Sequence, residues 1–215
     1  MYEYTQKRTH MIQDAIKLFK SDVVFNEIDH TYTYLGTQLT GVTAMLSRTI
    51  FKGKYSGIPK NVLAKAADYG HNIHEQIELV DSMGVTSDTP AVQDYLRIRQ
   101  ENGLIPVANE YLISDEEYIA SSIDVLYGVE NCPTLVDLTD IKTTSKLDME
   151  YLSWQLSIYA YLFERQNPHL KVRRLLAMWL PKPQYGRSAL VDVLRKPKEA
   201  IDVLIKWDKS LTNQK

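Results

Sequence analysis

Cysteine is nearly absent from this 215-residue chain, and the one present, Cys132, has no internal partner. An internal disulfide is thereby excluded, as is a four-cysteine zinc or iron–sulfur site. Long apolar runs are missing too. No stretch of about 18 apolar residues occurs, so no membrane span is expected. The opening MYEYTQKRTHMIQDAIKLFK has no apolar signal core, which argues against secretion and for a reducing cytoplasm. Internal repeats and low-complexity segments are lacking as well. What remains is a composition suited to one globular domain, with 44% hydrophobic and 24% charged residues.

The formal net charge of -2 conceals a polarised distribution. Met1 to Lys65 carries 9 basic and 5 acidic residues, and Ala66 to Ile141 carries 2 and 15. Lys142 to Glu164 carries 2 and 3, and Arg165 to Lys215 carries 12 and 4. An acidic centre between basic flanks suits a cation site beside a phosphate-binding surface. Chance clustering on solvated faces produces the same totals.

Hydrophobic periodicity and turn residues divide the chain. Tyr2 to Phe19 reads as an amphipathic helix, with Met11, Ile12, Ala15, Ile16 and Phe19 at helical spacing. The following VVFNEIDHTYTYLGTQLTGVT reads as a β-hairpin turning at Gly36-Thr37, then a short helix over Thr43 to Ile50 and a loop, FKGKYSGIPK. Asn61 is placed to cap a long helix with the apolar stripe Val62, Ala66, Tyr69, Ile73, Ile77 and Val80. A second helix runs from Pro90 to Asn102 and stops at Gly103. Three strand-like runs, IPVANEYLI, YIASSIDVLYG and PTLVDLTDIKT, suggest an antiparallel meander. A helix from Asp148 to Asn167, strands VRRLLAMWL and SALVDVL, and a last helix from Pro197 to about Leu211 complete an α+β order.

Asp140 and Lys142 are two apart on the third run, so both side chains point to one face, roughly 6–7 Å apart along the chain. Val136 and Leu138 share that face, so the pair emerges at the end of an apolar row. A metal on Asp140 and a phosphate near Lys142 would explain a lysine and a carboxylate there, and so would a structural ion pair. Asp124 sits amid Ile123, Val125 and Leu126 on the preceding run. Neighbouring strands lie about 4.8 Å apart, so Asp124 and Asp140 can converge on one divalent ion, Mg²⁺ or Mn²⁺. His74 and Glu78 are four apart on the long helix and share a face, either as metal-directed groups or as two solvated side chains. The position-78 glutamate excludes an HExxH zinc site. Gln155 and Tyr159 repeat the four-residue spacing inside an apolar helix, where the glutamine needs a partner: a phosphate, Lys142, or a backbone carbonyl.

Taken together these residues resemble the PD-(D/E)XK nuclease superfamily, and within it the RecB-like and phage exonuclease branch. The matching order is G-x-x-x-H-x-x-x-E at Gly70, His74 and Glu78, I-D at Ile123-Asp124, D-x-K-T at Asp140, Lys142 and Thr143, and Q-x-x-x-Y at Gln155 and Tyr159. FNEIDHTYTYLGTQLTGVTAML is similar to the hairpin that opens many phage-encoded members, and coverage runs from about Phe25 to Phe163. Ser121-Ser122 stands where members often carry Gly-Thr, and the cluster-binding cysteines and helicase domains of some members are missing.

The resemblance implies a restriction-endonuclease-like core, a central mixed β-sheet flanked by helices, preceded by an N-terminal helix and hairpin. Residues 1–215 would form one nuclease domain, with 1–60 the embellishment and 61–215 the catalytic core. It implies metal-dependent hydrolysis of DNA by an exonuclease of phage-type recombination or repair, in a bacterial or phage-infected cell. Alternatives are a structure-specific or restriction-type endonuclease, and an inactive DNA-binding protein on the same fold. Asp124, Asp140, the Ile141 carbonyl and His74, with Glu78 as a further candidate, would hold one or two Mg²⁺ or Mn²⁺ ions. Lys142 would handle the attacking water, with Gln155 and Tyr159 positioning it or the substrate. Glu110 is either a neighbour of the ligands or a surface acid. Lys52, Lys54, Lys60, Arg173, Arg174 and Arg187 would neutralise DNA phosphates. Implied partners are DNA, a single-strand annealing or single-strand-binding protein, and further copies of the chain, without a membrane.

Overall fold

The computed structural model of the chain describes residues 11–212, which build an α+β fold around one mixed sheet. Helix α1 covers residues 11–15. Three strands follow: β1 (Val24–Asn26), β2 (Thr31–Tyr34) and β3 (Thr37–Gly41), where one hairpin was expected. Leu35 and Gly36 both take positive φ (47° and 81°), a two-residue turn whose twist matches the strands it joins. Then come α2 (Val42–Arg48), α3 (Lys60–Met83), α4 (Pro90–Glu101), β4 (Ile105–Ser114), β5 (Ile119–Val129) and β6 (Cys132–Lys142). The order ends with α5 (Met149–Gln166), β7 (Lys171–Trp179), a 3-10 turn at Pro183–Tyr185, β8 (Ala189–Val193) and α6 (Lys198–Thr212).

Strands β4, β5 and β6 form the expected antiparallel meander. Helix α5 then returns the chain so that β7 lies parallel to β6, and β8 closes that edge antiparallel to β7. Strand β4 lines one edge of β5, and the other edge is shared. Strand β3 pairs there in parallel with Ile119 and Ala120, whereas β6 pairs with residues 125–129. Asp124 lies between the two pairings, at a fork in the sheet.

Helices cover both faces. On one, α5 packs with α2 and α6 over Ile123, Leu126, Val136, Leu138 and Leu175. On the other, Ile73 and Ile77 of α3 and Val92, Tyr95 and Ile98 of α4 cover Val125, Tyr127, Ile141 and Met178. Each fully buried Leu or Ile is worth about 1.5–3 kcal/mol, so these stripes decide where the helices sit. Asp148 caps α5 as expected, accepting from the Tyr151 N–H at 3.0 Å. Gly84 ends α3 in the left-handed conformation, φ 66°, and its N–H donates to the Val80 carbonyl.

Three expectations are corrected. Asn61 does not cap α3: Pro59 occupies that position, with no side-chain cap, because its fixed φ already starts the helix two residues earlier. The upper part of the α3 stripe is not core, since Val62 is 51% exposed and Ala66 is exposed. The helix is longer than the sheet it packs on. The first helix, expected to reach Phe19, ends at residue 15. Beyond it the Phe19 N–H donates to Asn167 Oδ1 (2.8 Å) and the Phe19 carbonyl accepts from Gln166 (2.7 Å), tertiary bonds that a helical Phe19 would forgo. Residues 2–10 of that expected helix lie outside the described residues. Among the described residues no helix is long and apolar enough to cross a membrane.

Candidate metal centre

The fork brings the acids together. Beyond the Val125–Thr139 pairing β6 leaves β5, and the Ile141 N–H donates to Asp124 Oδ2 at 2.6 Å instead of to a strand partner. The carboxylate therefore fills the gap in the ladder. The strand also changes phase at this point. Ile123 packs in the α5-side core and Val125 in the α3/α4-side core, although strict alternation would put both on one face. Opposite Asp124, between the pairings Asn109–Val125 and Tyr111–Ile123, stands Glu110 with φ 44°. A non-glycine residue in that region inside a strand is strained, and such strain gathers at functional sites.

His74 reaches this point from α3. Its Nε2 lies 3.2 Å from the Ile141 carbonyl oxygen, and Nδ1 lies 3.6 Å from Glu110 and 3.7 Å from Asp124. With Nε2 turned to the carbonyl, Nδ1 faces the two carboxylates. One ligand atom each from His74, Glu110 and Asp124 lies within 4.8 Å of the others. Burial pushes the Asp124 carboxyl up to about 7, further raised by Asp140 and Glu110 and opposed by His74 and Lys142. Burial alone would lower His74, but the Asp124, Glu110 and Asp140 carboxylates outweigh it and carry the imidazole to about 9.

Asp140 and Lys142 stand side by side. Lys142 Nζ is 2.5 Å from Asp140 Oδ2, an ion contact outside hydrogen-bond geometry, so that buried oxygen has no aligned donor. The Asp140 side chain is 2% exposed and that of Lys142 25%, so the pair does emerge at the end of the row begun by Val136 and Leu138. Burial opposes the charge on Lys142, but Asp140 and Asp124 hold its ammonium above the ordinary lysine range. Behind them Gln155 donates to the Tyr159 hydroxyl at 2.9 Å, and Gln155 Oε1 is buried without a partner among the described residues. Burial, and then Asp140, raise Tyr159 far above the ordinary phenol range.

Other expected residues fall elsewhere. Glu78 is exposed, one turn beyond His74 and outside the three-residue group; burial and the nearby Glu110 raise its carboxyl. The Ile141 carbonyl is engaged by the His74 ring. Arg173 and Arg174 do not present free cations: both clamp the buried Asp137, at 2.5 and 2.6 Å, because β7 starts beside it. Lys54 pairs with Asp148 at 2.8 Å and stands 3.5 Å over the Tyr151 ring. Lys52, Lys60 and Arg187 are exposed. A surface hollow lies over β2, β3 and α2, lined by His30, Gln38 and Arg48 among others, and none of His74, Glu110 and Asp124 lines it. Glu110 is the member that sequence reasoning left undecided. The hairpin register would have found it, since pairing centred on Glu117 sets position 110 opposite position 124.

No family model matches the chain, and no curated protein does either. Among solved structures the chain is similar to SSO0001, at 14% identity over 99% of this chain and 86% of that one, with a TM-score of 0.47.

Proposed function

We propose that this protein is a divalent-metal-dependent deoxyribonuclease of the PD-(D/E)XK type, acting on linear DNA. The observation that carries the reading is the fork, where Asp124, Glu110 and His74 converge within 4.8 Å beside the Asp140–Lys142 pair. The donor set fits a hard divalent ion: carboxylate oxygens of Asp124 and Glu110 and the His74 imidazole, with Asp140 outside that group and held by Lys142. One nitrogen ligand favours Mn²⁺ over Mg²⁺, which prefers oxygen throughout. When bound, such an ion supplies Lewis-acid polarisation of the scissile phosphate and a more acidic water.

The chain's own residues do the rest. Lys142, kept charged by its two acids, orients the attacking water and stabilises negative charge developing on the phosphate. Asp124 holds β6 through the Ile141 N–H, which fixes Asp140 and Lys142 relative to His74. Gln155 and Tyr159, bonded to each other, would position Lys142 or the substrate. A cytoplasmic exonuclease working with a single-strand annealing or single-strand-binding protein is the setting that the sequence resemblance favours. The test is digestion of linear DNA labelled at the 5′ or 3′ end, with Mn²⁺, Mg²⁺ or chelator, beside a covalently closed circle. Metal-dependent loss of label that Asp140→Ala abolishes supports the reading. Cutting of the closed circle would move it to an endonuclease, and equal label loss in Asp140→Ala or in chelator would overturn it.

A further inference from the structure

Helix α3 overhangs the sheet, and the overhang has a use. Its buried stripe of Ile73, Ile77 and Val80 continues upward through Tyr69 and Ala66 to Val62, which is 51% exposed among the described residues. A Cβ at Gly70 would lie 3.4 Å from Thr143 Oγ1, so the helix passes closely over the residue following Lys142. The unpacked stripe thus projects beside the exit of β6, next to the metal centre. The loop before α3 stands near the same exit, where Tyr55 is close enough to act electrostatically on Lys142. Phe51 packs against Tyr151, ring centroids 5.0 Å apart, while Tyr55 four residues on is 51% exposed. Its neighbour Lys54 is bound to Asp148 at the start of α5, which fixes where Tyr55 stands.

The approach to the overhang is basic as far as residue 67, with the exposed Asp68 following beside Tyr69. Residues 51–67 contain four lysines and no acid, and only Lys54 of these is spent on a salt bridge among the described residues. Lys182 adds a further ammonium, 4.5 Å over the Tyr69 ring. Unpartnered apolar and aromatic surface alternating with uncompensated cations calls for a ligand with flat apolar faces and regular negative charge. A nucleic-acid strand has both, but a duplex hides its base faces in the stack and offers only phosphates and groove edges. We infer that the α3 overhang and the Tyr55 loop hold a single-stranded end of the nucleic acid, bases against Tyr55 and Val62 and phosphates on Lys60, Lys65 and Lys182.

The inference rests on the proposed nuclease reading, and one binding experiment separates the two. Intact protein in chelator, which prevents metal-dependent cleavage, is titrated into fluorescent oligothymidylate of about 12 nucleotides and into a blunt hairpin duplex. Single strands should bind at least about tenfold more tightly. Tyr55→Ala and Val62→Glu should each weaken the single strand about tenfold and leave the duplex unchanged, with Tyr55→Trp retaining wild-type binding. Lys60→Gln with Lys65→Gln should flatten the salt dependence. Unaltered single-strand binding in Tyr55→Ala and Val62→Glu overturns the inference, even if the wild type digests DNA with Mn²⁺. Selective loss of single-strand binding in an inactive wild type upholds it and defeats the nuclease reading. Light scattering guards the remaining route: a wild-type dimer that Val62→Glu dissociates would make the overhang a self-interface and overturn the inference.

Discussion

Replacing Lys142 by alanine should destabilise the metal-free protein, and a divalent ion should repair the damage. The ammonium lies 2.5 Å from an Asp140 carboxylate that is 2% exposed and whose Oδ2 has no aligned hydrogen-bond donor. Removing one member of a buried pair costs about 3–5 kcal/mol, because the other charge is left uncompensated. Lys142 keeps 25% exposure, and the vacated volume opens toward solvent, so screening trims the cost to about 2–3 kcal/mol. At roughly 2–4 °C per kcal/mol for a domain of this size, the midpoint should fall by about 4–12 °C. Mn²⁺ at a hundredfold above its dissociation constant would return about 2.7 kcal/mol by binding the folded state alone. The variant should gain more than wild type, since the ion also replaces the missing positive charge beside Asp140 and Asp124. Thermal unfolding followed by circular dichroism, in chelator and in Mn²⁺, reads both effects. Identical midpoints in chelator, or a metal-induced rise no larger in the variant, would refute the reasoning.

Arg48→Ala should cost about 2–3 kcal/mol in urea unfolding, because Asp208 has a fully buried side chain and loses a two-pronged partner at 2.7 and 2.5 Å, with solvent around the 34% exposed Arg48 trimming the full buried-pair cost. A loss under about 1 kcal/mol would mean that Tyr118, also donating to Asp208 at 2.7 Å, suffices. Burial would raise Asp137, but Arg173 and Arg174 outweigh it and hold the carboxyl below its ordinary range. A depressed folded pKa stabilises above the unfolded value near 3.9 and loses that contribution as pH falls through the folded one. Asp137→Asn should therefore cost about 2 kcal/mol at neutral pH, with the gap from wild type closing below about pH 4; a pH-independent gap counts against this. Gly128→Val should cost about 1–3 kcal/mol and loosen the segment around Ile12 and Ile16, since even a Cβ there would stand 2.8 Å from Ile16 Cδ1. Protease cleavage within residues 11–23 at the wild-type rate would contradict it.

Much of this molecule was legible before any coordinates. The meander, α4, α5 and its Asp148 cap, β7, β8 and α6 follow from local patterns: two-residue alternation, helical stripes and turn residues act over a few positions and are written in order. The grouping of Asp140 with Lys142 on one face rests on the same two-residue period. The N-terminal hairpin was half legible, because β1 pairs through a turn, Glu27 to His30, that carries no Gly-Pro signal.

Length mismatch was not legible, and the β4–β5 register only once the centre of that hairpin is fixed. The role of Glu110 depends on which residue of β5 it faces and on a left-handed backbone that no local rule assigns to glutamate. Arg173, Arg174 and Lys54 looked like free cations because a one-dimensional pattern does not show which acid lies alongside; Asp137 and Asp148 do, once β7 and the loop before α3 are in place. Val62 and Ala66 looked like core because periodicity marks a face and not where the sheet beneath it stops. By itself, then, the amino-acid order determined the elements, their buried faces and the residue types of the acidic centre. Only the tertiary structure decided that β5 and β6 part at Asp124, that Glu110 joins the centre, and that α3 extends past the core. Such choices depend on long-range pairing between segments, which no local periodicity encodes.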